Sequence, residues 1–325
     1  MSLEAVVSSL VMSMQAGVPN FAIIDPLLGE PIPIEGADTV DRGSLSAARR
    51  QAWGRPVHAV TLAPSVALPP NLYPYLVELQ GPDDPWLAGT VEIAWAELSQ
   101  SQIGGLASSG TAAHRIGGWL QSSMSAPELT QAISAMLKVN TDAITSARYQ
   151  RLADRRALAW LRQVAGDARV GAQLGRIQSW CYLDACGELA QLKSPGEATT
   201  PLRLSQAEWL SFMQGEQLHQ TVARWLGARS QSQAGHPASG DARACYAQAL
   251  AALERAEAAA RRWPQRFTKP ADHTAWAALT LLHPGIETNA DVLAALNAPS
   301  PADEPLETLD TLSPALHALR LKATP

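Results

Sequence analysis

Cysteine is scarce in this chain. Among 325 residues there are three, Cys181, Cys186 and Cys245, too few and odd in number for a disulfide framework, which suits a reducing compartment and a cytoplasmic location. Cys181 and Cys186 stand close in sequence, but no second Cys or His pair follows at ligand spacing, and a redox motif would need two intervening residues rather than four. They are expected to be inert buried thiols, with no metal and no cofactor. Charge is also sparse. Charged residues make up 17% of the chain and the formal net charge is -5, so no broad basic footprint exists for a phosphate backbone and nucleic acid is not an expected partner. No apolar run approaches the ~18 residues that span a bilayer, so no membrane insertion is expected. Residues 6–14 are apolar in part, but Glu4 precedes them, Ser8, Ser9 and Ser13 interrupt them, and the first basic residue is Arg42. That pattern is an amphipathic helix rather than a signal peptide.

Signatures of catalysis are missing as well. Gly104-Gly105 and Gly117-Gly118 lead to no P-loop lysine and form no dinucleotide fingerprint. Ser108-Ser109-Gly110 and Ser122-Ser123 lack the nucleophile-elbow pattern. The seven histidines, His58, His114, His219, His236, His273, His283 and His317, are scattered, none four residues from another, and suit surface or capping roles.

What is present is 46% hydrophobic residues and ten tryptophans against three phenylalanines, enough to build real cores. The pattern divides the chain into an α+β lobe over residues 1–200 and a helical lobe over 201–325, with a flexible linker near 229–241. In the first lobe, a helix over 3–16 is followed by the nearly all-apolar run Phe21-Ala22-Ile23-Ile24-Asp25, a buried central strand. Residues 26–52 are expected as loop with a helical turn near 44–51, then strands near 57–62 and 76–79, a helix over 85–98 and a loop over 100–113. The stretch 116–161 organises the lobe. It gives a strand over 116–121, a helix over 125–138 opened by the capping box Ser125/Glu128 with Pro127 in its first turn, a strand over 145–152, and a helix led by Asp154. In the second lobe one long helix runs from a capping box at Ser205/Glu208 to Gly227. Helices over 241–263, 271–282 and 289–298 follow, then a Pro-rich acidic tail over 299–314. The second lobe is a small all-α bundle.

The notable charged set is Asp25 at a strand end with Arg151, Asp154, Arg155 and Arg156 at a strand-to-helix junction. A site interpretation pairs Asp25 with Asp154 as carboxylates. The structural one makes Asp154 the N-cap of the next helix, paired with an arginine, and is favoured because Asp is a preferred cap. Of the tryptophans, Trp119, Trp160, Trp209 and Trp276 fall on apolar stripes and belong in the core. Trp86, Trp225 and Trp263 sit near element ends and are the candidates for partner contact, although packing at an element boundary is the commoner role for such residues.

Several of these segments, in order, resemble the type VI secretion effector chaperone and adaptor (Tap/TEC) family. The family's early aromatic-Ala-Leu-Leu-Asp strand is similar to Phe21-Ala22-Ile23-Ile24-Asp25, and its Pro-Tyr-Leu-Val-x-Leu segment to Pro74-Tyr75-Leu76-Val77-Glu78-Leu79. A Gly-Trp strand followed by Ser and a Leu-x-x-x-Leu helix resembles residues 118–137. The hallmark Arg-Phe-Tyr-Asp-Pro-Arg-Val-Leu resembles Arg151-Leu152-Ala153-Asp154-Arg155-Arg156-Ala157-Leu158, with Arg151, Asp154 and Arg156 kept and the aromatic pair and proline replaced. A Gly-x-Ile-x-x-Trp run (175–180) and the strand and helix over 202–226 continue the likeness. The resemblance implies a cytosolic adaptor, not an enzyme. It would bind a type VI effector through the effector's N-terminal segment and load it onto the VgrG spike, with an apolar stretch held in a groove between the lobes. Asp25, Arg151, Asp154 and Arg156 would then be structural. A small hydrolase or transferase using Asp25 or Asp154 with an arginine clamp is the rival from another class, and an immunity or scaffold protein of the same secretion locus is a third reading.

Overall fold

A computed structural model describes residues 2–39, 41–102, 114–142, 144–196, 201–232, 242–298 and 307–322. The fold is α+β and contains two compact units. One is built from Met1–Leu98 with Ala113–Phe212, and the other includes Met213–Pro325.

The first unit runs α1 (Leu3–Ser13), β1 (Asn20–Ile24), α2 (Arg42–Trp53), β2 (Val57–Ala59), β3 (Tyr75–Leu79), α3 (Pro85–Gln102), β4 (Ile116–Ser122), α4 (Ala126–Met136), β5 (Lys138–Thr141), β6 (Ile144–Tyr149), α5 (Arg155–Ala165), α6 (Asp167–Gly171), β7 (Ile177–Leu183), β8 (Leu189–Lys193), β9 (Arg203–Leu204) and α7 (Gln206–Met213). Six strands form one sheet in the order β2-β3-β1-β4-β7-β8, with every neighbouring pair antiparallel. β1 lies inside it with all five residues buried, the outcome that its apolar run predicts. On one face Ala22, Val77, Trp119 and Cys181 pack with Val6 and Leu10 of α1, Trp53 of α2, and Leu87, Val91 and Ala94 of α3. On the other, close approach is enforced by glycine. A Cβ on Gly117 would lie 2.2 Å from the Ala153 carbonyl oxygen, and one on Gly118, at φ +134°, would lie 2.3 Å from that of Cys181. The chain therefore passes directly over β4 on its way into α5.

A second, smaller sheet has the order β6-β5-β9. It corrects the expected junction, because the helix opened by Ser125 ends at Met136 and residues 138–141 pair with β6 instead. The capping box is present, with the Ser125 backbone N–H donating to Glu128 Oε2 at 2.9 Å. A further correction concerns residues 42–53, which form a full helix, α2, closed at each end by Asp41 and Gly54.

Among the described residues the regular structure of the second unit is helical: α8 (Gly215–Ser232), α9 (Ala242–Arg262), α10 (Pro270–Leu282), α11 (Ala290–Asn297) and α12 (Leu309–Lys322). The single helix expected over 205–227 is broken near Gln214 into α7 and α8, and α8 continues past Gly227 to Ser232. Of the expected linker, 229–232 is thus helical, while 233–241 lies outside the described residues, as do 103–113 of the expected loop with its Gly104-Gly105 and Ser108-Ser109-Gly110 motifs, and His236. The Pro-rich tail is corrected in part too, since α12 contains Pro314 in its interior; residues 299–306 lie outside the described residues.

Candidate functional site

Charged side chains gather in the first unit where β1 ends and where β3 and β4 begin. Asp25 follows β1 directly, and its Oδ1 accepts from the Leu27 N–H at 3.0 Å, closing a tight turn. Its Oδ2 accepts from Arg151 Nε at 2.6 Å, a contact between residues 126 positions apart in the chain. Arg151 Nη1 also stands 3.5 Å from Asp154 Oδ2, so one guanidinium bridges the two carboxylates. Asp154 is the N-cap of α5. It accepts from the Arg156 N–H at 3.0 Å and from Arg156 Nε and Nη2 at 3.1 and 2.7 Å. A fork-to-carboxylate pair laid over a helix cap joins the two strongest uses of an aspartate at such a position.

The network continues inward. Arg155 is 1% exposed and reaches across the sheet end, donating to the Ala94 carbonyl at 2.7 Å, the Ile116 carbonyl at 3.3 Å and His114 Nδ1 at 3.1 Å, with Glu97 Oε2 at 3.6 Å. Glu97 Oε1 also accepts from the Arg115 N–H and Nε at 3.0 and 2.9 Å, and Arg115 Nη1 donates to the Glu30 carbonyl at 3.0 Å. The Glu30 carboxylate in turn takes Arg49 at 2.7 Å and the Tyr75 hydroxyl at 2.6 Å, while Arg49 lies over the Tyr75 ring. These bonds tie α2 and α3, on one face of the sheet, to the start of α5 on the other.

Electrostatics separates the two aspartates. Burial raises the Asp25 carboxyl, and Arg151 offsets this only in part. For Asp154 burial acts in the same upward sense, but the charge and hydrogen bonds of Arg156, with Arg151 beside it, outweigh it and hold that carboxyl well below the usual range. Burial likewise raises Glu97 against the pull of Arg155, and draws Arg155 down to about 10 despite Glu97 and Asp154. Chemically the cluster is a set of mutually paired ions in which Arg151 Nη2 is buried without a hydrogen bond, and its aspartates are 1% and 5% exposed.

An open cleft of about 420 Å³ lies at the opposite end of β1 and β3, lined by residues 14–20 and 79–82, all uncharged. Its floor is ordered by amides. Gln121 Nε2 donates to Asn20 Oδ1 at 3.0 Å, Asn20 Nδ2 donates to the Val18 carbonyl at 3.1 Å, and Gln121 Oε1 accepts from the Gln15 N–H at 3.3 Å.

The structure thus brings Asp25, Arg151, Asp154 and Arg156 together. It does not bring the three candidate tryptophans to an open surface. Trp225 and Trp263 are 6% and 4% exposed, so both take the boundary-packing role favoured above and neither is an open contact residue. Trp263 donates to Asn297 Oδ1 at 3.0 Å and packs edge-on to Trp276. Trp86 is half-buried, edge-on to Trp53 with ring centroids 4.7 Å apart. Cys181 and Cys245 are buried and Cys186 is half-buried, each outside any disulfide. Sequence reasoning missed Glu97, Glu30 and Arg49. Glu97 carried a signal, because it interrupts the apolar stripe of α3, and a charge at a core-facing position implies a buried partner. Among the described residues no helix is long and apolar enough to cross a membrane, and no group of three or more His, Cys, Asp or Glu is placed to hold a metal ion. No protein-family model, curated protein or solved structure matches the chain.

Proposed function

We propose that this protein is a binding protein, an adaptor that holds a type VI secretion effector in the cytoplasm of the producing cell and helps load it onto the VgrG spike. The observation that carries the reading is the meeting of two of its family-like motifs. Asp25, which ends the first strand motif, and Arg151, which opens the second, form a 2.6 Å ion pair, and Asp154 of the second motif caps α5. Motif residues tied up in each other's charges and in a helix cap act as a brace, and a brace suits a scaffold for binding better than a reacting centre. The uncharged cleft at the far end of β1 and β3 adds support, since it offers amides and apolar side chains but no ionised group. Such surfaces take extended chain by apolar burial, at ~25 cal/mol per Å², with main-chain hydrogen bonds setting direction.

The test is co-expression with the effector and spike proteins encoded beside the gene, followed by size-exclusion chromatography. A soluble complex containing the effector's N-terminal segment is expected. If no effector or spike fragment encoded there binds, the reading fails. An effector toxin that the chain neutralises without being delivered would point instead to an immunity role.

A further inference from the structure

Both walls of the uncharged cleft are anchored by hydrogen bonds. The first, residues 15–19, is tied to the sheet by the Gln15 N–H on Gln121 Oε1 and is closed on itself by the Val18 N–H, which donates to the Gln15 carbonyl at 3.4 Å. The second, residues 80–82, hangs from Asp84, which is 5% exposed. Asp84 Oδ2 accepts from the Gln80 N–H at 2.6 Å, and Oδ1 accepts from the Trp86 N–H at 2.9 Å and from Arg55 Nη2 at 3.0 Å. The Asp84 N–H in turn donates to the Gly81 carbonyl at 3.2 Å. One buried, arginine-paired carboxylate thus fixes the turn without itself lining the cleft. Each wall also carries a glycine in the left-handed region, Gly17 at φ +78° and Gly81 at φ +115°, and a Cβ on either would meet nothing within 4 Å. At these two points the cleft is bounded by main chain and open space.

We propose that this cleft is a binding site for a short extended peptide segment with uncharged side chains, recognised through its main chain. Charge selects the occupant. Every lining residue is un-ionised, so a charged side chain entering the cleft would lose water without gaining a counter-ion, a cost that a neutral one avoids. Hydrogen bonding selects the main chain. Gln15 and Gln80, one on each wall and both exposed, each hold a donor and an acceptor in one planar carboxamide, which complements a peptide group whatever side chain follows it. Shape is left permissive. Met14 lines the cleft and Met12, two residues earlier, is 78% exposed, and an unbranched thioether adapts to side chains of different form. A volume of about 420 Å³ lies toward the small end of ligand pockets, so it takes a few residues of an extended chain and not a folded domain. The inference rests on the adaptor reading for the source of the segment, which there belongs to the effector.

The probe is a blocked peptide of Ala, Leu, Gly and Gln, titrated into the full chain and followed by amide chemical shifts, with two analogues of equal length that carry Asp or Lys at the centre. The uncharged peptide should shift the Gly17 and Gly81 amides saturably, and both charged analogues should bind roughly tenfold or more weakly. No saturable shift at those amides, or equal affinity for all three peptides, overturns the proposal. Ala16 lines the first wall and is exposed. Ala16→Glu should weaken the uncharged peptide roughly tenfold or more, whereas Ala16→Gln, of similar bulk and no charge, should stay within about threefold of the wild type. Equal effects of the two variants overturn the charge argument and the proposal with it. Co-expression with the neighbouring effector separates this inference from the adaptor reading. A complex that forms equally well with Ala16→Glu overturns the cleft as the site and leaves the adaptor standing, while saturable peptide binding at the cleft without any effector or spike complex upholds the site and overturns the adaptor.

Discussion

Asp25 and Asp154 share Arg151, yet their environments oppose each other. Asp25 sits with its carboxyl raised by burial, so its ionised form is held at a disadvantage, whereas Asp154 is held ionised by Arg156. The amide isostere should therefore be tolerated better at the first position. At neutral pH Asp154→Asn is expected to destabilise the protein by about 3 kcal/mol, the scale of a broken buried pair, and Asp25→Asn by about 1 kcal/mol, the scale of one hydrogen bond. The signs with pH also differ. Asp154 has a depressed native value, so its contribution is present above the unfolded carboxylate range and is lost as pH falls through the native value. Asp25 has a raised value, and its burial penalty is relieved as pH falls. Urea unfolding of both variants from neutral pH into the acid range measures this, and equal penalties would show that Arg151 couples the two into one unit. The sequence made these residues legible as a charged set and Asp154 legible as a cap, because capping is a local preference. It left Glu97 and Glu30 unassigned, because their partners lie across the sheet and only the folded chain brings them within reach.

Local signals located the elements that local forces make. The run Phe21 to Ile24 became β1, together with Asn20, because a strand with apolar residues on both sides must be covered on both faces. The Ser125/Glu128 box became the start of α4 because its bonds close within one turn. Where elements depend on distant partners, the periodicity misled. Few apolar positions in residues 42–53 hid α2, whose inward face uses Leu45, Arg49 and Trp53, although Asp41 and Gly54 were readable as start and stop punctuation. β5 was hidden because it is made by pairing with β6 and β9, which no helical stripe reveals. α12 was hidden because Pro314 argued against a helix. The α4 box carries its own prediction. The hydrogen bonds from Ser125, with a lesser contribution from Arg176, pull the Glu128 carboxyl from 4.5 to about 2. Its stabilisation is thus complete above pH 4.5 and disappears as pH falls toward 2. In thermal melts Glu128→Gln should lower stability at neutral pH and converge on the wild type near pH 2. A gap that stays constant with pH would remove the carboxylate from the cap. Arg176→Ala should change the curve less than Glu128→Gln does.

Each unit carries a core and a buried arginine that staples it. In the first, Arg155 joins α3, β4 and α5 through two carbonyls, His114 and Glu97. In the second, Arg266 is 4% exposed and donates to the carbonyls of Leu296, Glu307, Ala295 and Ala298 at 3.3, 2.7, 3.2 and 2.9 Å. It thereby fastens the end of α11 and the approach to α12 beneath Trp263 and Phe267. Only a planar fork with several fixed donors serves so many acceptors, so lysine should not replace it. A protein with two separately stapled cores should unfold in two steps. Arg266→Ala and Arg266→Lys are expected to lower the transition of the helical unit and leave that of the sheet unit in place. Arg155→Ala should do the reverse, with a loss of about 3 kcal/mol because the Ala94 and Ile116 carbonyls lose a buried donor and Glu97 loses one of its arginines while keeping Arg115. Calorimetry followed in parallel by tryptophan emission and by far-ultraviolet dichroism separates the steps. If either variant shifts one common transition seen by both probes, the two units unfold as a single cooperative body, and the division of the chain into a braced sheet unit and a helical unit would describe its contacts but not its energetics.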